Sequence, residues 1–69
     1  MFNHLKQQDT VNILYKNNEI KKDTVSNINS RDGLVSFTLA ETKLKIKCKG
    51  NQAIYRHTDK DNDVLIFIA

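Results

Sequence analysis

Along most of this chain apolar and polar residues alternate one for one, the signature of strands with one buried face. In TVNILYK, residues 10–16, Val11, Ile13 and Tyr15 fall on one side and Thr10, Asn12 and Lys16 on the other, with Leu14 interrupting the polar side. The Asn17-Asn18 pair that follows tolerates left-handed backbone and predicts a tight turn. EIKKDTVSNIN, residues 19–29, is less regular. Thr24, Val25 and Ile28 favour a twisted or bulged strand, and the lysines and Asp23 suggest a sheet edge, where charge discourages aggregation.

SRDG, residues 30–33, carries the Asp-Gly chemistry of a hairpin turn, and LVSFTLAE then puts Val35, Phe37 and Leu39 on one face. After a short connection at Glu41 and Thr42, KLKIKCK predicts a strand over 43–49. Its Leu44, Ile46 and Cys48 point to the core, and Lys43, Lys45, Lys47 and Lys49 point to solvent. Gly50-Asn51 makes the next turn, QAIYRHT (52–58) a short strand, and TDKDND (58–63) an acidic hairpin loop. NDVLIFIA closes the chain with Val64, Ile66 and Ile68 on one side and Leu65 and Phe67 on the other. A strand apolar on both faces needs cover on both, from a closed barrel or from a subunit interface. Helical spacing is confined to residues 1–8, where Phe2 and Leu5 are three apart.

The expected architecture is therefore all-β: one domain over residues 1–69, a small antiparallel barrel of five or six strands, with a short N-terminal helix packed on it. With no proline, low-complexity tract or internal repeat, nothing in the chain predicts a second domain. A domain of this size buries only about 60% of the surface its unfolded chain exposes. Reinforcement by a disulfide is excluded by the single cysteine, Cys48, which leaves a homo-oligomer as the expected device.

Composition narrows the function classes. MFNHLKQQD turns polar within three residues, so no leader is expected, and VLIFIA is far shorter than the roughly 20 residues of a membrane-spanning helix. A cytoplasmic protein without a membrane role is the expectation, in keeping with a single free thiol. The net charge of +3 is modest but unevenly spread: residues 42–50 hold four lysines and no acid. Side chains at period two lie about 6.6 Å apart along a strand, close to the separation of successive phosphates in extended nucleic acid. Lysines facing outward are equally the solvated side of an ordinary strand, and no aromatic residue interleaves with them for base stacking.

Tyr55-Arg56-His57 is a second candidate, supplying a ring, a guanidinium and an imidazole. Strand geometry puts Tyr55 and His57 on one face and Arg56 on the other; the plainer reading is a half-buried tyrosine between exposed neighbours. Asp59-Lys60-Asp61-Asn62-Asp63 copies the opening of an EF-hand loop, but position six is Val64 instead of glycine and position twelve lies beyond the last residue given. Neither His4 nor His57 accompanies a nucleophile elbow, and neither glycine belongs to a phosphate-cradling loop. No enzyme activity, cofactor or metal is expected.

QAIYRH resembles the Gln-x-apolar-Tyr-Lys-His signature of the bacterial Hfq branch of the Sm-like family, and FNHLK followed by VNILYKNNEIK is similar to that family's N-terminal helix, first strand and turn. The resemblance implies a small bent-sheet barrel assembled into a ring, with Tyr55, Arg56 and His57 near a subunit junction and an RNA-binding rim. Glu19 stands where the family turn has glycine, the second strand has no glycine for its bend, and KLKIKCKG reads as an insertion. Two functional expectations follow. The first is a non-enzymatic, oligomeric binding protein that holds an anionic partner (RNA, single-stranded DNA or a nucleotide) on Lys43, Lys45, Lys47, Lys49, Tyr55, Arg56 and His57. The alternative is a phage or mobile-element protein that docks on a host or virion protein, as inhibitor or structural subunit, through VLIFIA or EIKKDTV.

Overall fold

A computed structural model describes residues 1–68. It is all-β: six antiparallel strands form a nearly closed barrel, joined by one 3-10 turn at Phe2–His4 and no α-helix among the described residues. The strands are β1 (Thr10–Leu14), β2 (Ile20–Arg31), β3 (Leu34–Leu39), β4 (Lys45–Lys49), β5 (Ile54–Thr58) and β6 (Asp63–Ile68), in the order β4-β3-β2-β1-β6-β5. Ala69, placed by its sequence at the end of the last strand, lies outside the described residues.

The alternation sets the inside of the barrel. Val11 and Ile13 of β1, Val25 of β2, Val35, Phe37 and Leu39 of β3, Ile46 and Cys48 of β4, and Val64 and Ile66 of β6 form a single buried core. Phe2 completes it, fully buried with its ring 5.9 Å from that of Phe37.

Three expectations need correction. The segment 19–29 is not a sheet edge: β2 is the longest strand, paired with β1 through its first half and with β3 through its second. It serves both partners by bending at a bulge, where Asn27 and Ile28 together oppose the single residue Phe37. Asn27 takes a left-handed φ of 54°, a conformation asparagine tolerates better than most residues, and this supplies the bend without a glycine. The N-terminal segment is one 3-10 turn in place of a helix over residues 1–8, and it packs against β3 and β4 beside the connection from β4 to β5. There the amide of Phe2 donates to Gln52 O (2.9 Å) and that of Asn3 to Gly50 O (2.8 Å). Lastly, β4 begins at Lys45, because Lys43 occupies a left-handed position (φ 63°) in the connection from β3.

The Asp-Gly turn is as its sequence requires. Asp32 (φ 54°) and Gly33 (φ 79°) both have positive φ, the type I′ pattern that suits a two-residue hairpin between paired Arg31 and Leu34. The β3–β4 connection is held from below by Asp23. Its buried carboxylate accepts hydrogen bonds from the amides of Thr24, Glu41 and Thr42 and from the Thr42 hydroxyl, at 2.8–3.1 Å. Burial alone would raise the pKa of this carboxyl, but the four donors outweigh it and hold the value below the ordinary aspartate range.

Candidate functional site

Lysine-bearing β4 is an edge strand, which explains its charge at the level of folding: three lysines along an unpaired edge oppose pairing with another chain. Ile46 and Cys48 are buried, whereas Lys45, Lys47 and Lys49 are exposed on the outer face. Burial pushes the Cys48 thiol pKa up, as for a core side chain and unlike an activated nucleophile. Register fixes the neighbours of the lysines. Lys45 lies opposite Thr38, Lys47 opposite Ser36 and Lys49 opposite Leu34. One strand further in, Thr38 pairs with Ser26, Ser36 with Asn29 and Leu34 with Arg31.

The outer face of β2, β3 and β4 is thus a field of small hydroxyl and amide side chains, with exposed Leu34 at one end, bordered by Lys45, Lys47 and Lys49 on one side and Arg31 on the other. Among the described residues none of these three lysines, nor Lys43, has an acidic side chain within ion-pair distance. Arg31 has one, Asp32, at 3.7 Å, with both side chains largely in solvent. Lys43 stands apart, exposed in the β3–β4 connection.

Tyr55, Arg56 and His57 lie on β5, the opposite edge of the sheet. As strand alternation requires, Tyr55 and His57 face inward, beside Ile66 and Val64, and are half-buried, while Arg56 points outward. Arg56 makes a two-pronged pair with Asp63, Nε to Oδ1 and Nη2 to Oδ2, both at 3.0 Å. That pair raises the arginine pKa and, as the leading influence, lowers that of Asp63. His57 Nε2 lies 3.0 Å from Asp59 Oδ2, and since an ionised carboxylate only accepts, this nitrogen carries the proton. Asp59 in turn accepts the amides of Asp61 and Asn62 at 2.8 Å, which with the His57 contact keeps its pKa low. Its carboxylate is thereby committed to shaping the β5–β6 loop.

The two sets line different depressions: those bordered by Lys45, Lys47 or Lys49 contain none of the β5 residues, and Arg56 lines a separate one with Leu14, Tyr15 and Leu65. Arg56 and His57 already hold acidic partners of their own, so of the two candidate sets the one without ion pairs among the described residues is the β4 row; Lys6, Lys22 and Lys60, also without an acidic partner there, are scattered over other segments. Arg31, Ser36 and Thr38 were not singled out from sequence. Ser36 and Thr38 had a signal, since they alternate with Val35, Phe37 and Leu39 and must point outward. What the pattern did not contain was the pairing that sets them beside the lysines. Comparison with protein-family models, curated proteins and solved structures finds no match to this chain, so the functional reading rests on the site.

Proposed function

We propose that this protein is a non-enzymatic binding protein that holds an anionic partner, such as RNA, single-stranded DNA or a nucleotide, on the outer face of β4. One observation carries the reading: Lys45, Lys47 and Lys49 project at two-residue intervals from an exposed edge with no acid to neutralise them. Ammonium groups that neutralise phosphates release the cations condensed on the nucleic acid, and the released ions drive association. No aromatic side chain lies on this face, so recognition is of charge and backbone more than of base. The test is fluorescence anisotropy with labelled oligonucleotides and nucleotides at low salt, on the parent protein and on a triple variant with Lys45, Lys47 and Lys49 changed to Gln. Binding weakened at least tenfold in the triple variant is expected; no binding by the parent, or equal binding by both, contradicts the reading.

A second reading, docking on a protein, has its own observation. The outward residues of β1, β6 and β5 include Leu14, Leu65, Phe67 and Ile54, and Ile20 of β2 continues the row, with Ile20 and Ile54 each nearly 60% exposed. The N-terminal turn does not cover this face, since it packs against β3 and β4. Sedimentation velocity distinguishes the partners such a face suits. Mass that rises with protein concentration and falls in an Ile54→Lys variant marks a second copy of the chain; a monomer in both leaves a foreign protein as the occupant.

A further inference from the structure

Two shallow depressions on the lysine face share one wall. The first, about 190 Å³, is lined by Asn29, Arg31, Asp32, Leu34, Ser36 and Lys47. The second, about 230 Å³, has Asn27, Thr38, Lys45 and Ile46 around it and again Ser36 and Lys47. Their common wall is therefore the cross-strand pair Ser36 and Lys47, and the depressions lie on either side of it along the strands. Each contains one cation of its own, Arg31 or Lys45, plus the shared ammonium of Lys47. Each also has an asparagine, and the shared Ser36 hydroxyl now donates to Asn29 O over a long 3.4 Å that it can exchange for a better acceptor.

We infer that these depressions seat two consecutive phosphates of one phosphodiester strand, laid along β4 with Lys47 bridging them. This rests on the anion-binding reading above and sharpens it to a ligand class. Two-residue steps along a strand advance about 6.6 Å, which suits neighbouring phosphates separated by a sugar. Consecutive phosphates of inorganic polyphosphate, or of a nucleoside di- or triphosphate, are joined through one bridging oxygen and lie much closer together, so they do not match this step. Neither depression has an aromatic wall other than the buried Phe37, so the bases are directed away from the protein and contribute little.

Asp32 tempers this site. It is the only acid lining either depression, and it lies 3.7 Å from Arg31. Its backbone is left-handed within the type I′ turn, a position asparagine also accepts, so Asp32→Asn removes the charge and keeps the hairpin.

The experiment measures anisotropy of a labelled ten-nucleotide oligothymidine and an abasic sugar-phosphate chain of equal length, with inorganic polyphosphate as competitor. The proteins are the parent, Lys47→Gln, Asp32→Asn and, as a control for bulk charge, Lys60→Gln. The expected result is equal affinity for the two chains within about threefold, weak competition by polyphosphate, a loss of about tenfold in Lys47→Gln against less than twofold in Lys60→Gln, and a gain of several-fold in Asp32→Asn. The inference is overturned if Lys47→Gln and Lys60→Gln weaken binding alike, if polyphosphate competes as well per phosphate as the oligonucleotide, or if Asp32→Asn gains nothing. A parent protein that binds neither chain overturns the anion-binding reading itself, an outcome distinct from binding with the wrong pattern.

Discussion

Asp23 is one buried carboxylate with four donors, and it ties β2 to the connection that launches the lysine strand. Without it the amides of Glu41 and Thr42 lose their acceptor, so Asp23→Ala is expected to lower stability by about 1–3 kcal/mol, read from urea unfolding. The pH dependence has a definite sign. A carboxyl whose folded pKa lies below its unfolded value of about 3.9 contributes stability that is fully present above that value and is lost as pH falls through the folded pKa. The urea midpoint is expected to be level from pH 7 to 5 and to fall below about pH 4. In Asp23→Asn the fall is shallower, because the remaining acid sensitivity comes from solvent-facing Asp59 and Asp63. An identical acid profile in parent and variant would refute the role given to Asp23.

The strands show how far a pattern of alternation can be read. Core positions of β1, β3, β4 and β6 were legible because period-two alternation and burial are the same fact seen from sequence and from structure. Turns at Asp32-Gly33 and after Asp59 were legible because they rest on residue-specific backbone and side-chain chemistry. The place of β2 was not, since its polar residues suggested an edge while its length and bulge make it the strand shared by both halves of the sheet. Strand order depends on pairing between distant segments, and local pattern does not encode it. For the same reason the lysines could be picked out singly, but not their neighbours Ser36, Thr38 and Arg31. The bulge gives a prediction at this scale. Asn27→Val puts a β-branched side chain at φ 54° and is expected to destabilise by about 1–2 kcal/mol, whereas Asn27→Gly is close to neutral. Equal urea midpoints for the two variants would contradict a bend set by that backbone.

At the scale of the molecule, a small, nearly closed barrel has two unlike edges, with the N-terminal turn packed against β3 and β4. The β4 edge carries the lysines, the β5 edge an arginine already matched by Asp63, and Phe2 fills the seam between the N-terminal turn and strands β3 and β4. Phe2→Ala removes a fully buried ring and is expected to cost about 3–5 kcal/mol, most of the stability of so small a domain. Gly50→Ala probes the same seam differently: an added Cβ would meet Asn3 Cβ at 2.9 Å and a Val35 methyl at 3.1 Å, for an expected loss of about 1–3 kcal/mol. Thermal melts of both variants check the seam, and parent-like melting would contradict it. In the function proposed above, placement is what matters: a row of ammonium groups without acidic partners, held along one edge strand. The most direct measurement is the salt dependence of oligonucleotide affinity. Three phosphate contacts on a single strand, one for each lysine of the row, predict a log–log slope of about −2, falling toward zero when Lys45, Lys47 and Lys49 are all glutamine. A slope near zero in the parent, or one unchanged in the triple variant, would contradict the account.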